Sequence, residues 1–202
     1  MIDVYGYWPS GNCWKVRQAL DLTGNSYRWV ETDSNAGATQ TAGFLALNPN
    51  GKVPIVVMAD GTVITESNAI LCHFAEGTGL MPPPGLARTR VFEWLFFEQY
   101  SHEPYIAVAR NVIAYQKAKA ANMDRLPAIW EKGHRALAVM ERRLGQADWL
   151  AGETMTVADI ALYAYTHVAD EGEFDLSGYP GVMRWIERFG ATPGVVGLRK
   201  KV

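Results

Sequence analysis

Two short segments in the first third of the chain carry residue types suited to holding a small peptide by its main chain. The first, Asn48-Pro49-Asn50-Gly51-Lys52-Val53-Pro54, is a turn ending in a Val-Pro junction, which we expect to be cis, with the N–H and C=O of Val53 facing outward. The second, Glu66-Ser67-Asn68-Ala69-Ile70, places an acid and a hydroxyl at the start of an apolar helix, where free N–H groups attract anions. A ligand with an ammonium group, a carboxylate and a peptide main chain would satisfy all of these groups.

The elements that must position these segments alternate between strand and helix. Hydrophobic spacing predicts helices, and short apolar runs beside turn residues such as Asp60-Gly61 predict strands. In chain order the predicted elements are a strand over 2–7, a helix over 12–23, a strand over 27–31, a helix around 44–47, strands over 54–57 and 62–64, and a helix over 67–76. The order βαβαββα predicts one domain over residues 1–77.

Beyond this unit the pattern is helical almost to the end of the chain. Residues 78–87 are rich in glycine and proline and predict a linker. A long helix over 88–118 should be bent or interrupted by Pro104, and further helices are predicted to about 144 and over 182–189. Thr156-Val157-Ala158-Asp159 resembles a capping box, with Thr156 at the N-cap and Asp159 three residues later, which indicates a structural role for both.

Composition and charge narrow the class of protein. Of the 202 residues, 49% are hydrophobic and 20% charged, the formal net charge is -2, and the pI is near 6.1, which argues against a nucleic-acid partner. The basic runs, including Arg199-Lys200-Lys201, are short. Cys13 and Cys72 form neither a disulfide framework nor a metal motif, and no apolar stretch is long enough to cross a membrane. We expect a soluble cytoplasmic protein with no metal and no membrane partner.

The four segments 10–13, 48–54, 66–70 and 156–159, in this order, resemble the glutathione transferase superfamily, in particular its bacterial serine-type or theta-like members and those similar to glutathione-dependent disulfide reductases. The first of these segments is Ser10-Gly11-Asn12-Cys13. The resemblance implies a thioredoxin-like N-terminal domain over 1–77 and an all-helical C-terminal domain over 88–202. It also implies a homodimer.

The resemblance implies that glutathione is the co-substrate and assigns roles to particular residues. Val53, before Pro54, would pair its main chain with the cysteinyl unit of glutathione. Glu66 would hold the γ-glutamyl ammonium and Ser67 the adjacent carboxylate, unless the two residues form an ordinary helix N-terminus. Lys52 and Gln40 lie where the family often contacts the glycyl carboxylate; the alternative for Lys52 is a solvated turn lysine.

The chemistry of such a site requires a thiolate, so the protein must lower the pKa of the glutathione thiol. A shift of two pKa units needs roughly 2.7 kcal/mol, which a hydroxyl hydrogen bond of ~1.5–3 kcal/mol and a helix N-terminus of ~0.3–1 kcal/mol can supply. Serine-type transferases carry their activating hydroxyl at the position of Ser10, and Asn12 could donate a second hydrogen bond. Both residue types are also good helix caps, so a purely structural role stays open.

Two other residues near this turn are alternatives. Tyr7 lies in a segment resembling the one in which other transferase classes carry a catalytic tyrosine. Cys13 occupies the fourth position of the turn, and because the first position is Ser10, a two-cysteine redox cycle within the turn is impossible. A mixed disulfide between Cys13 and one glutathione stays open.

The second substrate is expected to meet the sulfur between the two domains. The segment 98–104 is an unusually polar and aromatic interruption of an apolar helix, and the resemblance implies that this helix borders both the acceptor pocket and the dimer interface. The candidate acceptor-pocket residues are Trp8, Tyr100, His102, Tyr105 and Arg110. The alternative is that the aromatic residues pack a core or a subunit interface.

The leading hypothesis is a glutathione transferase that conjugates the thiolate to an electrophilic small molecule, with detoxification among its open physiological roles. A second hypothesis is glutathione-dependent reduction of disulfides or peroxides, favoured if Ser10 and Asn12 together hold the sulfur. A third is a binding or assembly module without turnover. The electrophile is not specified by the sequence.

Overall fold

The computed structural model describes residues 1–198, and its N-terminal part has the predicted βαβαββα order. The sheet is four-stranded with the order β2-β1-β3-β4, in which β1 runs parallel to β2 and antiparallel to β3, and β4 is antiparallel to β3. The elements are β1 (Ile2–Gly6), α1 (Gly11–Leu22), β2 (Tyr27–Glu31), α2 (Ala42–Leu47), β3 (Ile55–Val57), β4 (Val63–Thr65) and α3 (Ser67–Ala75). The thioredoxin-like prediction is confirmed.

The C-terminal part is helical, as predicted. Its main helices are α4 (Leu86–Phe97), α5 (Glu103–Arg110), α6 (Leu126–Leu144), α7 (Val157–Thr166) and α8 (Pro180–Gly190). Within residues 1–198, none of the helices combines the length and the apolar character that a bilayer crossing requires. The basic run 199–201 lies outside the described residues.

The helix predicted over 88–118 is divided by two wider turns of the π type, at Glu98–His102 and Asn111–Tyr115. Pro104 explains the first of them, because proline has no N–H to donate within the helix. Within this turn the N–H of Glu103 donates to the carbonyl of Glu98, five residues earlier, rather than four as in an α-helix. The wider turn breaks the regular α-helical spacing, so side chains before and after it do not continue along one face of the helix.

The two halves are joined by a buried core and a buried ion pair. The Trp14 ring on α1 packs against Tyr163 on α7, with ring centroids 5.5 Å apart. The residue after Trp14 is Lys15, whose ammonium lies 2.9 Å from the Glu98 carboxylate. Both of these side chains are fully buried. Asn68 on α3 accepts from Lys15 and donates to Glu98, which helps satisfy a pair that burial would otherwise penalise. These contacts fix the start of α1 against the helical half.

The predicted capping box is confirmed at the start of α7. The N–H of Thr156 donates to Asp159 Oδ2 at 2.9 Å, and the Thr156 hydroxyl accepts from Ala158 N. Asp159 is fully buried and also accepts from Leu150 N and from the Trp185 indole, each at 3.0 Å. The carboxylate therefore ties the preceding loop and α8 to α7, which is more than the sequence pattern predicted.

Candidate active site

A cleft of about 470 Å³ opens between the strand-rich half and the helical half. We call its two sides the strand-side wall and the helix-side wall. The strand-side wall consists of Tyr7, Pro9, Ser10, Asn12, Ser34, Asn35, Asn48, Lys52, Val53, Pro54, Glu66 and Ser67. The helix-side wall consists of Gln99, Glu103, Ala107, Val108, Arg110, Asn111, Tyr115 and Tyr165. Most residues of both walls are polar, so the cleft suits a polar ligand.

Ser10 is the N-cap of α1 and lines the cleft. Its backbone is extended (φ -74°, ψ 126°), and its Oγ accepts from the N–H of Cys13 at 3.3 Å. Because only the oxygen is used in the cap, the hydroxyl hydrogen can still be donated to an anion. The capping role and the catalytic role therefore do not exclude each other.

Tyr165, on α7, completes the surroundings of the α1 N-terminus from the helical half. Its hydroxyl accepts from Asn12 N at 3.2 Å. A Cβ on Gly11 would lie 2.6 Å from the Tyr165 ring, so glycine at this position lets the ring approach the helix. Burial, and next the charge of Glu103, raise the pKa of the Tyr165 phenol, while hydrogen bonds with Asn12 and Ser10 oppose the shift. Tyr165 is thus a neutral phenol beside Ser10.

Asn12 connects three parts of the site through its side chain. Its Nδ2 donates to Glu103 Oε1 at 3.2 Å, across the cleft, and its Oδ1 accepts from the Ser67 hydroxyl at 3.5 Å. The first contact joins the strand-side wall to α5, and the second joins α1 to α3. The amide retains a second Nδ2 hydrogen that could be donated to a ligand.

The predicted peptide-binding residues meet on the strand-side wall. The Val53-Pro54 bond is cis, as expected, and both residues line the cleft with Lys52. Ser67 is 7% exposed at the first position of α3, and Glu66 precedes it with a positive φ of 64°. A non-glycine residue with positive φ is uncommon, and such residues cluster at ligand sites.

Gln40 does not line the cleft. Its Nε2 lies 3.4 Å from the carbonyl oxygen of Gly51, on the turn that carries Lys52. Of the two residues proposed for the glycyl carboxylate, the structure therefore places only Lys52 in the cleft.

The two alternatives near Ser10 differ in their access to the cleft. Tyr7 lines the cleft, and its hydroxyl accepts from Asn35 Nδ2 at 3.4 Å. Cys13 is fully buried, its Sγ accepts from Tyr7 N, and burial raises the pKa of its thiol to about 11. Cys13 is therefore a protonated thiol at neutral pH, out of reach of a ligand, which weighs against a mixed disulfide. Cys72 is half-buried, and burial likewise raises the pKa of its thiol to about 11.

Arg110 lines the cleft and holds the loop before Ser10. Its guanidinium donates to Glu171 Oε2 at 2.7 Å, to the carbonyl of Pro9 at 2.9 Å and to the Tyr115 hydroxyl at 2.6 Å. Since Glu171 balances its charge, Arg110 acts here as a clamp on the Pro9 carbonyl. It is the one residue of the predicted acceptor set that the structure places in the cleft.

The other members of that set do not line this cleft. Trp8 is 45% exposed, with the Arg17 guanidinium 3.5 Å from its ring centroid. Tyr100 is 84% exposed and, with Tyr105, borders a separate groove against α6. His102 is fully buried, and its Nε2 forms a hydrogen bond with the Thr166 hydroxyl at 2.9 Å. For Tyr100 and His102 the π-type turn at Glu98–His102 explains the difference, because it breaks the regular helical spacing of successive side chains.

Sequence reasoning missed Glu103 and Tyr165 as residues of the site. Glu103 did lie in the polar segment singled out before Pro104, so its acidic side chain in an otherwise apolar helix was an available signal. Tyr165 had no local signal, since its position depends on α7 packing against α1 beside Gly11.

Among residues 1–198, no cluster of His, Cys, Asp and Glu is arranged to hold a metal ion.

Comparison with known proteins agrees with this geometry. The family model for the N-terminal domain of glutathione S-transferase matches residues 1–76, and that for the C-terminal domain matches residues 118–188. The chain is 30% identical to the disulfide-bond oxidoreductase YfcG of Escherichia coli (strain K12), over 96% of this chain and 92% of that protein.

Solved structures give the same result. A glutathione S-transferase from Xanthobacter autotrophicus Py2 superposes with a TM-score of 0.96 at 55% identity, covering 98% of this chain and 97% of the other. A glutathione transferase family member from Pseudomonas fluorescens Pf-5, with two glutathione bound, superposes with a TM-score of 0.85 at 25% identity, covering 96% and 91%. The chain belongs to the glutathione S-transferase family.

Proposed function

We propose that the protein binds glutathione in this cleft, activates it as a thiolate beside Ser10, and transfers it to a small polar electrophile. The observation that carries the proposal is the Ser10 hydroxyl at the N-terminus of α1, in the same cleft as Val53, Glu66 and Ser67. The hydroxyl and the helix terminus together can stabilise a thiolate by the roughly 2.7 kcal/mol that two pKa units require.

The strand-side wall supports binding of glutathione in one orientation. The Glu66 carboxylate suits the γ-glutamyl ammonium, and the Ser67 hydroxyl with the first turn of α3 suits the adjacent carboxylate. The main chain of Val53 suits the cysteinyl unit, and the Lys52 ammonium suits the glycyl carboxylate. In this orientation the cysteinyl sulfur points towards the N-terminus of α1.

The helix-side wall supports a polar second substrate. Gln99, Glu103, Asn111 and Tyr115 present hydrogen-bonding groups, and Ala107 and Val108 offer only a small apolar surface. The enzyme accelerates the reaction by supplying thiolate at neutral pH and by holding both reactants in one cleft.

Reduction of small disulfides is the second candidate. It is favoured by the pairing of Ser10 and Asn12 at one helix terminus and by the relative that is a disulfide-bond oxidoreductase. Because Cys13 is buried and protonated, this reaction would use glutathione sulfur alone.

A comparison of two substrates separates these activities. We would measure turnover of an activated aryl halide and of a mixed disulfide of glutathione by the wild type and by Cys13→Ser. Conjugation of the halide, unaffected by Cys13→Ser, is the expected result. Turnover of the disulfide alone would favour reduction, and turnover of neither with glutathione bound would contradict an enzymatic role.

We also propose a homodimer formed through α4. Phe92 and Phe96 are 38% and 74% exposed and lie four residues apart on one face of α4, and Tyr100 in the π-type turn that follows is 84% exposed. Exposed aromatic rows of this kind mark interfaces. Light scattering should give twice the chain mass for the wild type, and Phe96→Asp should give the monomer mass; a monomeric wild type would contradict the proposal.

A cytoplasmic location remains the proposal made from sequence, supported by the two free cysteines Cys13 and Cys72.

A further inference from the structure

We propose that the carboxylate of Glu103 accepts the thiol proton of glutathione as the thiolate forms and later returns it to the product. The inference rests on the proposed function and adds a catalytic residue from the helix-side wall. Glu103 returns the proton with acceptors whose product takes one up, namely activated double bonds and disulfides, whereas in a substitution the proton leaves to water.

Glu103 has the required position. It begins α5 directly after the π-type turn, lines the cleft, and accepts from Asn12 Nδ2 at 3.2 Å through Oε1. Asn12 lies two residues after Ser10 on the first turn of α1, so this bond brings the carboxylate to the helix terminus where the sulfur is expected. The second carboxylate oxygen can accept a proton.

No other group of the described cleft is suited to take this proton. The hydroxyl of Ser10 and the amide of Asn12 are not bases at neutral pH, and the phenols of Tyr115 and Tyr165 have raised pKa values because of burial. Glu66 is exposed and is assigned to the γ-glutamyl ammonium. Among residues 1–198, Glu103 has no ion pair to hold it in the charged form, unlike Glu98 and Glu171.

The surroundings favour a protonated Glu103 once a thiolate is present. Burial, and next the charge of Glu98, raise the pKa of the Glu103 carboxyl, while Lys15, the bond from Asn12, and Lys52 lower it. Tyr165 faces it from α7 as a neutral phenol. A thiolate nearby adds a like charge, so carboxylate and sulfur are expected to share one proton between them.

The step is balanced in atoms and charge. The S–H bond breaks, an O–H bond forms on Glu103, and the negative charge passes from the carboxylate to sulfur. Sulfur then gives its electron pair to the acceptor. With an activated double bond the resulting carbanion takes the proton back from Glu103, and with a disulfide the leaving thiolate takes it, so the carboxylate is regenerated in both cases.

A proton inventory of glutathione binding tests this step. Calorimetry at neutral pH in two buffers of different ionisation enthalpy gives the protons released, and ultraviolet absorbance gives the thiolate formed. The same titration with S-methylglutathione, which has no thiol, is subtracted to remove protons from other groups. We expect the wild type to form thiolate with little proton release, and Glu103→Gln to release about one proton per thiolate.

The matched control is Glu131→Gln, on an exposed position of α6, which should keep the wild-type ratio. Release of about one proton per thiolate by the wild type would overturn the role of Glu103 and leave the proposed function intact. Since this outcome is read from the wild type, it stands even if Glu103→Gln fails to fold. Absence of thiolate in the wild type would contradict the proposed function itself, and the role of Glu103 with it.

Discussion

The two walls of the cleft are built differently. On the strand-side wall the ligand-facing groups come from short turns, such as Lys52 to Pro54 and Glu66 to Ser67, in which neighbours in sequence are neighbours in space. On the helix-side wall they come from distant positions such as Glu103, Arg110 and Tyr165, brought together by helix packing. We propose that the strand-side wall binds glutathione and carries the activating Ser10, and that the helix-side wall binds the second substrate.

The largest expected effect concerns the support of the helix-side wall. Asp159→Ala leaves the buried N–H groups of Leu150, Thr156 and Trp185 without their acceptor, so we expect the free energy of unfolding to fall by about 3 kcal/mol. Urea unfolding measures this. Glutathione affinity, measured below the unfolding transition, should not change, because the strand-side wall is independent of this carboxylate. An unaltered unfolding midpoint would contradict the structural role.

The next effect tests the assignment of His102 to the core behind the wall. Burial lowers the pKa of the folded imidazole to about 4 from an ordinary 6.5, so the unfolded chain binds a proton in a range where the folded protein does not. Stability is therefore fully present above pH 6.5 and falls as the pH drops towards 4, at up to ~1.4 kcal/mol per pH unit. Urea unfolding at several pH values should show a weaker acid loss in His102→Gln than in the wild type. An equal loss of stability in both proteins at low pH would mean that a group other than His102 causes it.

A smaller effect tests the strand-side wall itself. Ser67→Ala removes the hydroxyl proposed for the γ-glutamyl carboxylate, and we expect the glutathione Kd to rise by a factor of about ten or more, or ~1.5 kcal/mol. The KM of the second substrate should stay near its wild-type value. Ser67→Thr keeps the hydroxyl and serves as the control. A change in second-substrate KM without a change in glutathione Kd would contradict the division between the walls.

The smallest effect concerns Lys52, an exposed residue of the strand-side wall. Lys52 is exposed, so its contact with the glycyl carboxylate should contribute only ~0.2–1 kcal/mol, and Lys52→Met should weaken glutathione binding by about fivefold or less. The difference between the two proteins should shrink as salt is added, because exposed charges are screened. A loss that salt does not reduce would mean that Lys52 has a buried partner in the complex.

The contrast between the walls also explains what the sequence could predict. The order of the N-terminal elements, the cis Val53-Pro54 bond and the Thr156–Asp159 cap follow from local patterns of spacing and turn residues. The positions of Tyr100 and His102 could not be predicted, because the π-type turn before Pro104 departs from the regular helical spacing on which such a prediction depends. Tyr165 could not be predicted either, since only the approach of α7 to Gly11 brings it to the cleft.

The central claim is that Ser10 activates the glutathione thiol, and a titration with glutathione watched by ultraviolet thiolate absorbance tests it most directly. We expect saturable thiolate at neutral pH in the wild type and in Tyr7→Phe, and its loss in Ser10→Ala, where the hydrogen bond worth ~1.5–3 kcal/mol to the anion is missing. Loss in Tyr7→Phe with full retention in Ser10→Ala would move the chemistry to the end of β1 and contradict the account.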